Sequence, residues 1–383
     1  MATLFAVAII ALAAAYFAAR VDTLRTGAFE TQLGAELERE AFSVRETLLH
    51  AAATHIRDEG GLAVAHAPLA TDGRRYRLND SLTMQVQDER GLIGINMAED
   101  RQLARFFTSI GIPTERHARM LDGLRDYIDA DDFKHLNGAE TADYLAANKP
   151  PPANDFLRLR EELANVMGWE PVFAALDKAD TATNLGLQGV RTRFVALFST
   201  ARHAGFNVNS APSAVLVTLP GINPARVGAL IDQRKIKPFT NLAQLSPFSN
   251  GRLDEEIVGL VGANDWRITI AKAGLPFLLE CRLTMTPGDR DRPTKLKECR
   301  RRSPDVMADT QAQPNEFSRA LQEFGGNLQA SSAPASSAVP TETRKTNFAD
   351  RDERRESSRA NETPAPRWLA EIVEPARSGR TWQ

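Results

Sequence analysis

The sequence predicts an α+β protein: a long N-terminal helix, an antiparallel sheet interrupted by a large α-helical domain, and a disordered C-terminal tail. Three observations indicate this fold class. A charge-free apolar run leads into a helical stripe, strand patterns lie on both sides of a helical block, and the C-terminal part is polar. We divide the chain into a transmembrane segment (1–19), a stalk helix (20–58), a first β part (59–95), an inserted α-helical domain (96–262), a second β part (263–285) and a mostly disordered tail (286–383).

Residues 1–19 contain no charged side chain. A helix of this length spans roughly 28 Å, close to the hydrocarbon thickness of a bilayer. A cleaved signal peptide would begin with a basic stretch, and none follows Met1. We therefore expect a membrane-spanning helix, with a buried helix of a soluble protein as the alternative.

The stalk segment 20–58 carries one apolar stripe, because its apolar residues recur at steps of three and four. The stripe consists of Leu33, Leu37, Ala41, Val44, Leu48, Ala52 and Ile56. No proline interrupts the segment, so we expect a single helix from the membrane onward, roughly 85 Å long. Its stripe should pack on the domain that follows.

The β parts are predicted from alternation. Leu82, Met84 and Val86 alternate with polar residues, which is typical of a half-buried strand. Two more strands are expected at 265–271 and 275–284, while the residues between the two β parts follow helical spacing. The tail is rich in Ser, Ala, Pro and Thr and cannot bury enough apolar surface to order, apart from a short helix near 368–373.

Composition excludes several classes of protein. The chain has 383 residues with 47 basic and 49 acidic side chains, so no strong net charge favours nucleic acid. Two cysteines exclude a disulfide scaffold, and the six histidines show no zinc-ligand spacing. No phosphate-binding glycine loop or nucleophile elbow is present in the sequence. We therefore expect that the chain is not an enzyme.

Four blocks of sequence carry a resemblance. They are DERGLIGINM from residue 88, DGLRDYIDADD with NGAETADYL between residues 122 and 145, NDFLRLREELANVMGW from residue 154, and NVNSAPSAVLVTLPGI with RKIKPFTNLAQL from residue 207. In order and spacing they resemble the protein K family, the large minor pseudopilins of type II secretion systems. The resemblance covers roughly residues 1–285, with Tyr127 where the family usually has tryptophan.

The resemblance implies a function. Members of this family cap the tip of a short periplasmic pseudopilus together with the minor pseudopilins I and J. The pseudopilus takes part in the export of folded periplasmic proteins across the outer membrane. We therefore expect a pilin-like helix and sheet, a single-pass anchor in the bacterial inner membrane, a periplasmic soluble domain and calcium in the helical domain. Exported proteins are further candidate partners.

An acidic loop is the best candidate for a metal site. Asp129, Asp131, Asp132 and Glu140 lie close in sequence, and clustered carboxylates repel each other unless a cation lies among them. Calcium prefers such oxygen ligands. Three of the four match positions 1, 3 and 12 of an EF-hand loop, but Phe133 lies where a ligand is needed, so the loop is not an EF-hand. A solvated acidic turn is the alternative.

The LPGI sequence predicts a helix-hairpin-helix-like element, with helices near 212–219 and 224–234. This element supports an alternative function, a membrane-tethered DNA-uptake protein. In DNA-binding versions a second glycine helps to hold phosphate, but Asn223 occupies that position here. The element carries four basic side chains, Arg226, Arg234, Lys235 and Lys237. This number is usual on the solvent-exposed face of an ordinary helix. Nucleic acid is therefore not an expected partner.

The cysteines leave two alternatives open. Cys281 and Cys299 could pair in an oxidising compartment. Because Cys299 falls in the predicted tail, Cys281 could instead be a small core residue.

Overall fold

The computed structural model describes residues 2–63, 68–182, 189–203, 205–251, 253–302 and 363–364. Its helices are α1 (Ala2–Thr54), α2 (Asp100–Ser109), α3 (Thr114–Ile128), α4 (Thr141–Ala146), α5 (Glu170–Ala182), α6 (Gly189–Ala196), α7 (Ser213–Leu216) and α8 (Val227–Ile236). Its strands are β1 (Arg57–Asp58), β2 (Gly61–Leu62), β3 (Leu69–Ala70), β4 (Asp72–Arg77), β5 (Leu82–Asp88), β6 (Ile93–Gly94), β7 (Phe198–Ser199), β8 (Phe206–Asn207), β9 (Val258–Gly259), β10 (Asp265–Lys272), β11 (Leu278–Met285), β12 (Thr294–Arg302) and β13 (Thr363–Pro364).

Helix α1 has two halves. It is 53 residues long, or about 80 Å. Side chains from residue 3 to residue 32 are exposed, apart from half-buried Val21. Among the described residues it is the one helix that is long and apolar enough to cross a membrane, with a mean hydropathy of 2.2 in its most apolar window. The first half of the helix therefore makes almost no contact with the rest of the described residues.

The second half of α1 packs on the sheet. Its buried stripe consists of Leu37, Ala41, Val44, Leu48 and Ala51, while Leu33 and Ala52 are partly buried. The prediction that Ile56 belongs to the stripe is wrong, because the helix ends at Thr54 and the Ile56 side chain is 79% exposed. Lys272 fixes the helix further, since its Nζ lies 2.9 Å from Glu40 Oε1.

The main sheet joins the two β parts. It has six strands in the order β12-β11-β10-β5-β4-β13. Strand β5 precedes the helical domain and β10 follows it, and the two pair antiparallel with Ile268 opposite Val86. The predicted α+β architecture, an antiparallel sheet interrupted by helices, is confirmed. Apolar side chains of alternate residues, such as Met84 and Ile270, face the α1 core.

The predicted start of the tail at residue 286 is wrong, because β12 continues the sheet. Thr294–Arg302 pairs with β11, and Cys281 lies opposite Cys299 and is disulfide-bonded to it. Only Leu296 of this strand packs against the core, so the edge strand has the composition of a polar tail. The remaining tail predictions, disorder and a helix near 368–373, lie outside the described residues except for Thr363 and Pro364.

The helical domain has its own core. Phe106, Phe107, Trp169, Phe194 and Phe198 are fully buried in it and form tilted and edge-to-face ring pairs. The helical spacing of this region is confirmed in α3, which runs over Thr114–Ile128. Of the two helices predicted around LPGI, the first is shorter, since α7 ends at Leu216.

Buried charges connect the helical domain to the second face of the sheet. Arg267 Nε lies 2.9 Å from Glu89 Oε1, and Arg160 Nη2 lies 2.7 Å from Glu280 Oε2. Arg302 Nε lies 3.4 Å from Glu280 Oε1. We call these five residues the interdomain ion cluster. Burial alone would raise the pKa of Glu280, but attraction to Arg160 and Arg267 lowers it to about 2.

Candidate functional site

The acidic loop lies between α3 and α4. Asp126 occupies the last turn of α3 and is fully buried, and Asp129 follows directly after that helix. Glu140 precedes α4 and its backbone N–H donates to Asp143 Oδ2 over 3.0 Å. The two helices therefore hold carboxylates at both ends of the loop.

The loop folds back onto the end of α3. His135 donates its backbone N–H to Asp126 Oδ1 over 3.1 Å, and its ring Nδ1 also contacts that oxygen. Asn137 bonds to Asp122 Oδ2 through both its backbone N–H and its side-chain amide. A Cβ on Gly138 would lie 1.8 Å from Asp126 Oδ2, so only glycine allows the chain to pass so close to this carboxylate.

Several oxygen atoms in this loop are buried without a hydrogen-bond partner. They are Asp126 Oδ2, Asp129 Oδ1 and both carboxylate oxygens of Glu140. Glu140 is only 6% exposed. Leaving a buried polar atom unsatisfied is unfavourable by about 1–3 kcal/mol, and more when the group is charged. We call Asp126, Asp129 and Glu140 the acidic cluster.

The carboxylates of the acidic cluster repel one another, and burial disfavours their charged forms. Burial raises the pKa of Glu140 to about 7, and repulsion from Asp126, Asp129, Asp132 and Asp131 adds to this shift. Burial also raises the pKa of Asp129, with further repulsion from Asp131 and Asp126. His135 is the exception, because its hydrogen bond to Asp126 raises the pKa of its ring.

The donor atoms fit a hard divalent cation. Ligand atoms of Asp126, Asp129 and His135 all lie within 4.8 Å of one another. The Asp126 oxygen that contacts His135 is Oδ1, which leaves Oδ2 available. The unpartnered atoms of the acidic cluster are all carboxylate oxygens, the ligand type that calcium prefers. The residues present therefore fit the calcium ion that the family resemblance implies.

The predicted ligands fall into two groups. Asp129 and Glu140 contribute buried oxygen atoms to the cluster. Asp131 and Asp132 are exposed at its rim, and Asp131 Oδ1 accepts the backbone N–H of Phe133 over 2.9 Å. Sequence reasoning did not select Asp126, although it lies three residues before Asp129, about one helical turn.

Arg234 in the LPGI region has a structural role. It is one of the basic side chains of the predicted helix-hairpin-helix-like element. It is 5% exposed, and its Nη1 donates to the carbonyls of Val208 and Ala211 over 2.6 and 2.7 Å. Asn223 accepts the N–H of Ala225 and so begins the following helical turn. The Arg234 guanidinium is therefore not available to a phosphate.

Comparisons with known proteins found a family match and similar solved structures. The family described as "Type II secretion system (T2SS), protein K" matches residues 78–178, which contain β5, α2, α3, the acidic loop and α4. Among solved structures, a chain in the crystal structure of the GspK-GspI-GspJ complex from the enterotoxigenic Escherichia coli type 2 secretion system is similar. Its identity is 15%, with 74% of this chain and 99% of that chain covered and a TM-score of 0.46.

No curated protein matches the sequence. The family match covers three of the four blocks on which the resemblance was based, those that begin at residues 88, 122 and 154. The match over residues 78–178 confirms the resemblance to the type II secretion system protein K family that the sequence motifs indicated.

Proposed function

We propose that the chain is a minor pseudopilin at the tip of the type II secretion pseudopilus. It is anchored in the bacterial inner membrane by the first half of α1, with the folded part in the periplasm. It binds the minor pseudopilins I and J and takes part in the export of folded proteins across the outer membrane. Its work is done by surfaces rather than by catalysis.

The observation that carries the proposal is the contrast within α1. Residues 3 to 32 expose large apolar side chains such as Leu12, Phe17 and Phe29, whereas the stripe from Leu37 onward is buried. An exposed apolar helix needs a lipid or protein environment. The uncharged residues up to Ala19 suit lipid, and the charged stretch that follows suits neighbouring helices outside the membrane.

The helical domain supports a place at the tip. It covers the second face of the sheet through the interdomain ion cluster, while α1 covers the first. A sheet that is covered on both faces has no free face on which another subunit could stack. Such a subunit would end the assembly instead of extending it.

We further propose that the acidic cluster binds calcium. Asp126, Asp129 and Glu140 would supply the oxygen ligands, and Asp131 and Asp132 would add attraction from the rim. Bound calcium would neutralise the carboxylates and tie the loop to the ends of α3 and α4. The support is the set of buried carboxylate oxygens without partners.

The full-length chain, tagged and expressed with minor pseudopilins I and J, tests the assembly role after extraction in detergent. We expect the partners to co-purify with it. Phe29→Glu should weaken that complex, because Phe29 is 59% exposed on the free half of α1. Ile236→Glu is the matched control, since Ile236 is 82% exposed on α8 and should leave the complex intact.

The same variants should be compared in a strain that lacks the gene. Export should return with the parent chain and with Ile236→Glu, and fall with Phe29→Glu. A folded full-length chain that never co-purifies with the partners would contradict the proposal. Unchanged export after deletion of the gene, with no second copy present, would contradict it independently.

A further inference from the structure

The edge of the main sheet at β4 is covered by the C-terminal part of the chain. Strand β13 pairs parallel with β4, with Thr363 opposite Tyr76 and Pro364 opposite Arg77. More than sixty positions separate Thr363 from Arg302, the last residue of β12 at the other edge of the same sheet. The C-terminal segment therefore closes the edge farthest from β12.

The backbone direction along β4 follows from its pairing with β5. The Leu78 N–H donates to the Leu82 carbonyl over 2.9 Å, so the polar backbone groups of Leu78 point toward β5. Because these groups alternate along a strand, those of Tyr76 also point toward β5, and those of Arg75 and Arg77 point to the outer edge. The outer edge therefore offers the Arg75 carbonyl and the Arg77 N–H.

The register of β13 matches these two groups. In a parallel pair, a residue bonds to the neighbours of the residue opposite it. Thr363 lies opposite Tyr76, so its N–H faces the Arg75 carbonyl and its carbonyl faces the Arg77 N–H. Thr363 can thus satisfy both groups, and β-branched threonine suits an extended strand.

Pro364, at the next position, restricts the hydrogen bonding of β13 to the side that faces β4. Since the backbone groups of Thr363 face β4, those of Pro364 face away from it, so β4 loses no hydrogen bond to the missing N–H. A further strand that approached from outside would find no donor at Pro364. Proline also favours an extended conformation of the residue before it, which here is Thr363.

We propose that Thr363 and Pro364 form an edge cap: strand β13 of the chain itself docks on β4 and prevents strand pairing with other molecules. The acceptor edge is firmly built, because Tyr76 is buried in the α1 core and its Oη accepts the Ala70 N–H over 2.9 Å. An exposed sheet edge is a template for pairing between chains. The cap removes that template in a protein that presents its sheet close to other copies and partners.

Amide hydrogen exchange of the full-length chain in detergent, resolved to single residues, tests the edge cap. Thr363→Pro removes the N–H that faces Arg75, so the Arg77 amide should exchange about tenfold faster or more. Thr363→Val keeps the backbone donor and a β-branched side chain, so the Arg77 amide should exchange as it does in the parent chain. Thr343→Pro places the same substitution elsewhere in the C-terminal part and should also have no effect.

The Ile268 amide, in central strand β10, reports whether the sheet stays folded in every variant. Its exchange should not change, since β13 lies three strands away from β10 in the sheet. Equal exchange of Arg77 in the parent and in Thr363→Pro would overturn the proposal. Faster exchange of Arg77 in Thr343→Pro as well would overturn it too, because the effect would then not depend on the register of β13.

Discussion

The interdomain ion cluster and the acidic cluster both contain buried carboxylates, but the charges nearest to those carboxylates are opposite in sign. Burial alone would raise the pKa of Glu280, yet Arg160 and Arg267 lower it to about 2. Burial raises the pKa of Glu140 to about 7, and the nearest charges, those of Asp126 and Asp129, raise it further. The same chemical group is thus permanently paired in one place and left without a counter-charge in the other.

This difference separates a structural site from a candidate binding site. Arginines from distant parts of the chain neutralise Glu280, and the pair joins the helical domain to the sheet. The acidic cluster comes from one short stretch, and its unpartnered oxygens would gain from a cation supplied from outside. Burial by itself therefore does not indicate function, whereas burial without compensation does.

The largest expected effect comes from breaking the paired cluster. Glu280→Ala removes the buried partner of Arg160 and leaves it an ion pair with Glu161, which is 41% exposed, so unfolding should be easier by about 3–5 kcal/mol. Urea unfolding measures this change. Glu161→Ala is the control, because the Glu161 side chain is 41% exposed and its loss should change stability by less than about 1 kcal/mol. Equal effects of the two substitutions would contradict the contrast.

Calcium should stabilise the protein through the acidic cluster only. At a free concentration one hundred times the dissociation constant, binding adds about 2.7 kcal/mol to the free energy of unfolding. Glu140→Gln should abolish this gain, and at pH 7.5 without metal it should itself stabilise the chain, since it removes a buried charge that has no partner. Thermal unfolding with calcium and with chelator measures both effects. A calcium response that survives in Glu140→Gln would show that the ion binds elsewhere.

The two clusters should respond to pH in opposite directions. Glu280 has a lowered pKa, so its contribution of about 3 kcal/mol is present above pH 4.5 and is lost as the pH falls toward 2. Glu140 has a raised pKa, so without metal stability is highest below pH 4.5 and falls as the pH rises through 7. Urea midpoints across this range measure both slopes. Glu140→Gln should flatten only the slope between pH 4.5 and 7, and Glu280→Gln should flatten only the slope below pH 4.5.

The smallest expected effect concerns the rim of the acidic cluster. Asp131→Asn should lower calcium affinity by less than about tenfold, because the Asp131 side chain is exposed and acts largely through water. Asp126→Asn should lower it far more, since that carboxylate is fully buried in the cluster. Isothermal titration with calcium compares the two variants. Similar losses would mean that the ion binds at the rim rather than among the buried oxygens.

Local patterns in the sequence predicted most of the fold. Leu37, Val44 and Leu48 repeat with helical spacing, and their burial followed from that spacing alone. Strand β12 was missed because an edge strand needs few apolar residues, and Leu296 is its single contribution to the core. Only its pairing partner, joined at Cys281 and Cys299, distinguishes it from a polar tail.

A site was easier to predict when its residues lie close together in the sequence. Asp129 and Glu140 stood out because the acidic loop is continuous in sequence. Asp126 was not among the predicted ligands, because the match to EF-hand positions begins at Asp129. The interdomain ion cluster could not be predicted, since Arg160 and Glu280 are far apart in the chain and are brought together only by the packed domains.

The way α1 lies on the sheet has a mechanical consequence. Leu37, Ala41, Val44, Leu48 and Ala51 contact one surface side by side along nearly four helical turns. A force along the helix axis would load these contacts in shear, so they would resist together instead of yielding one after another. Lys272 bridges the same joint to Glu36 and Glu40. The joint is therefore built to transmit thrust or tension between the free end of the helix and the folded domain.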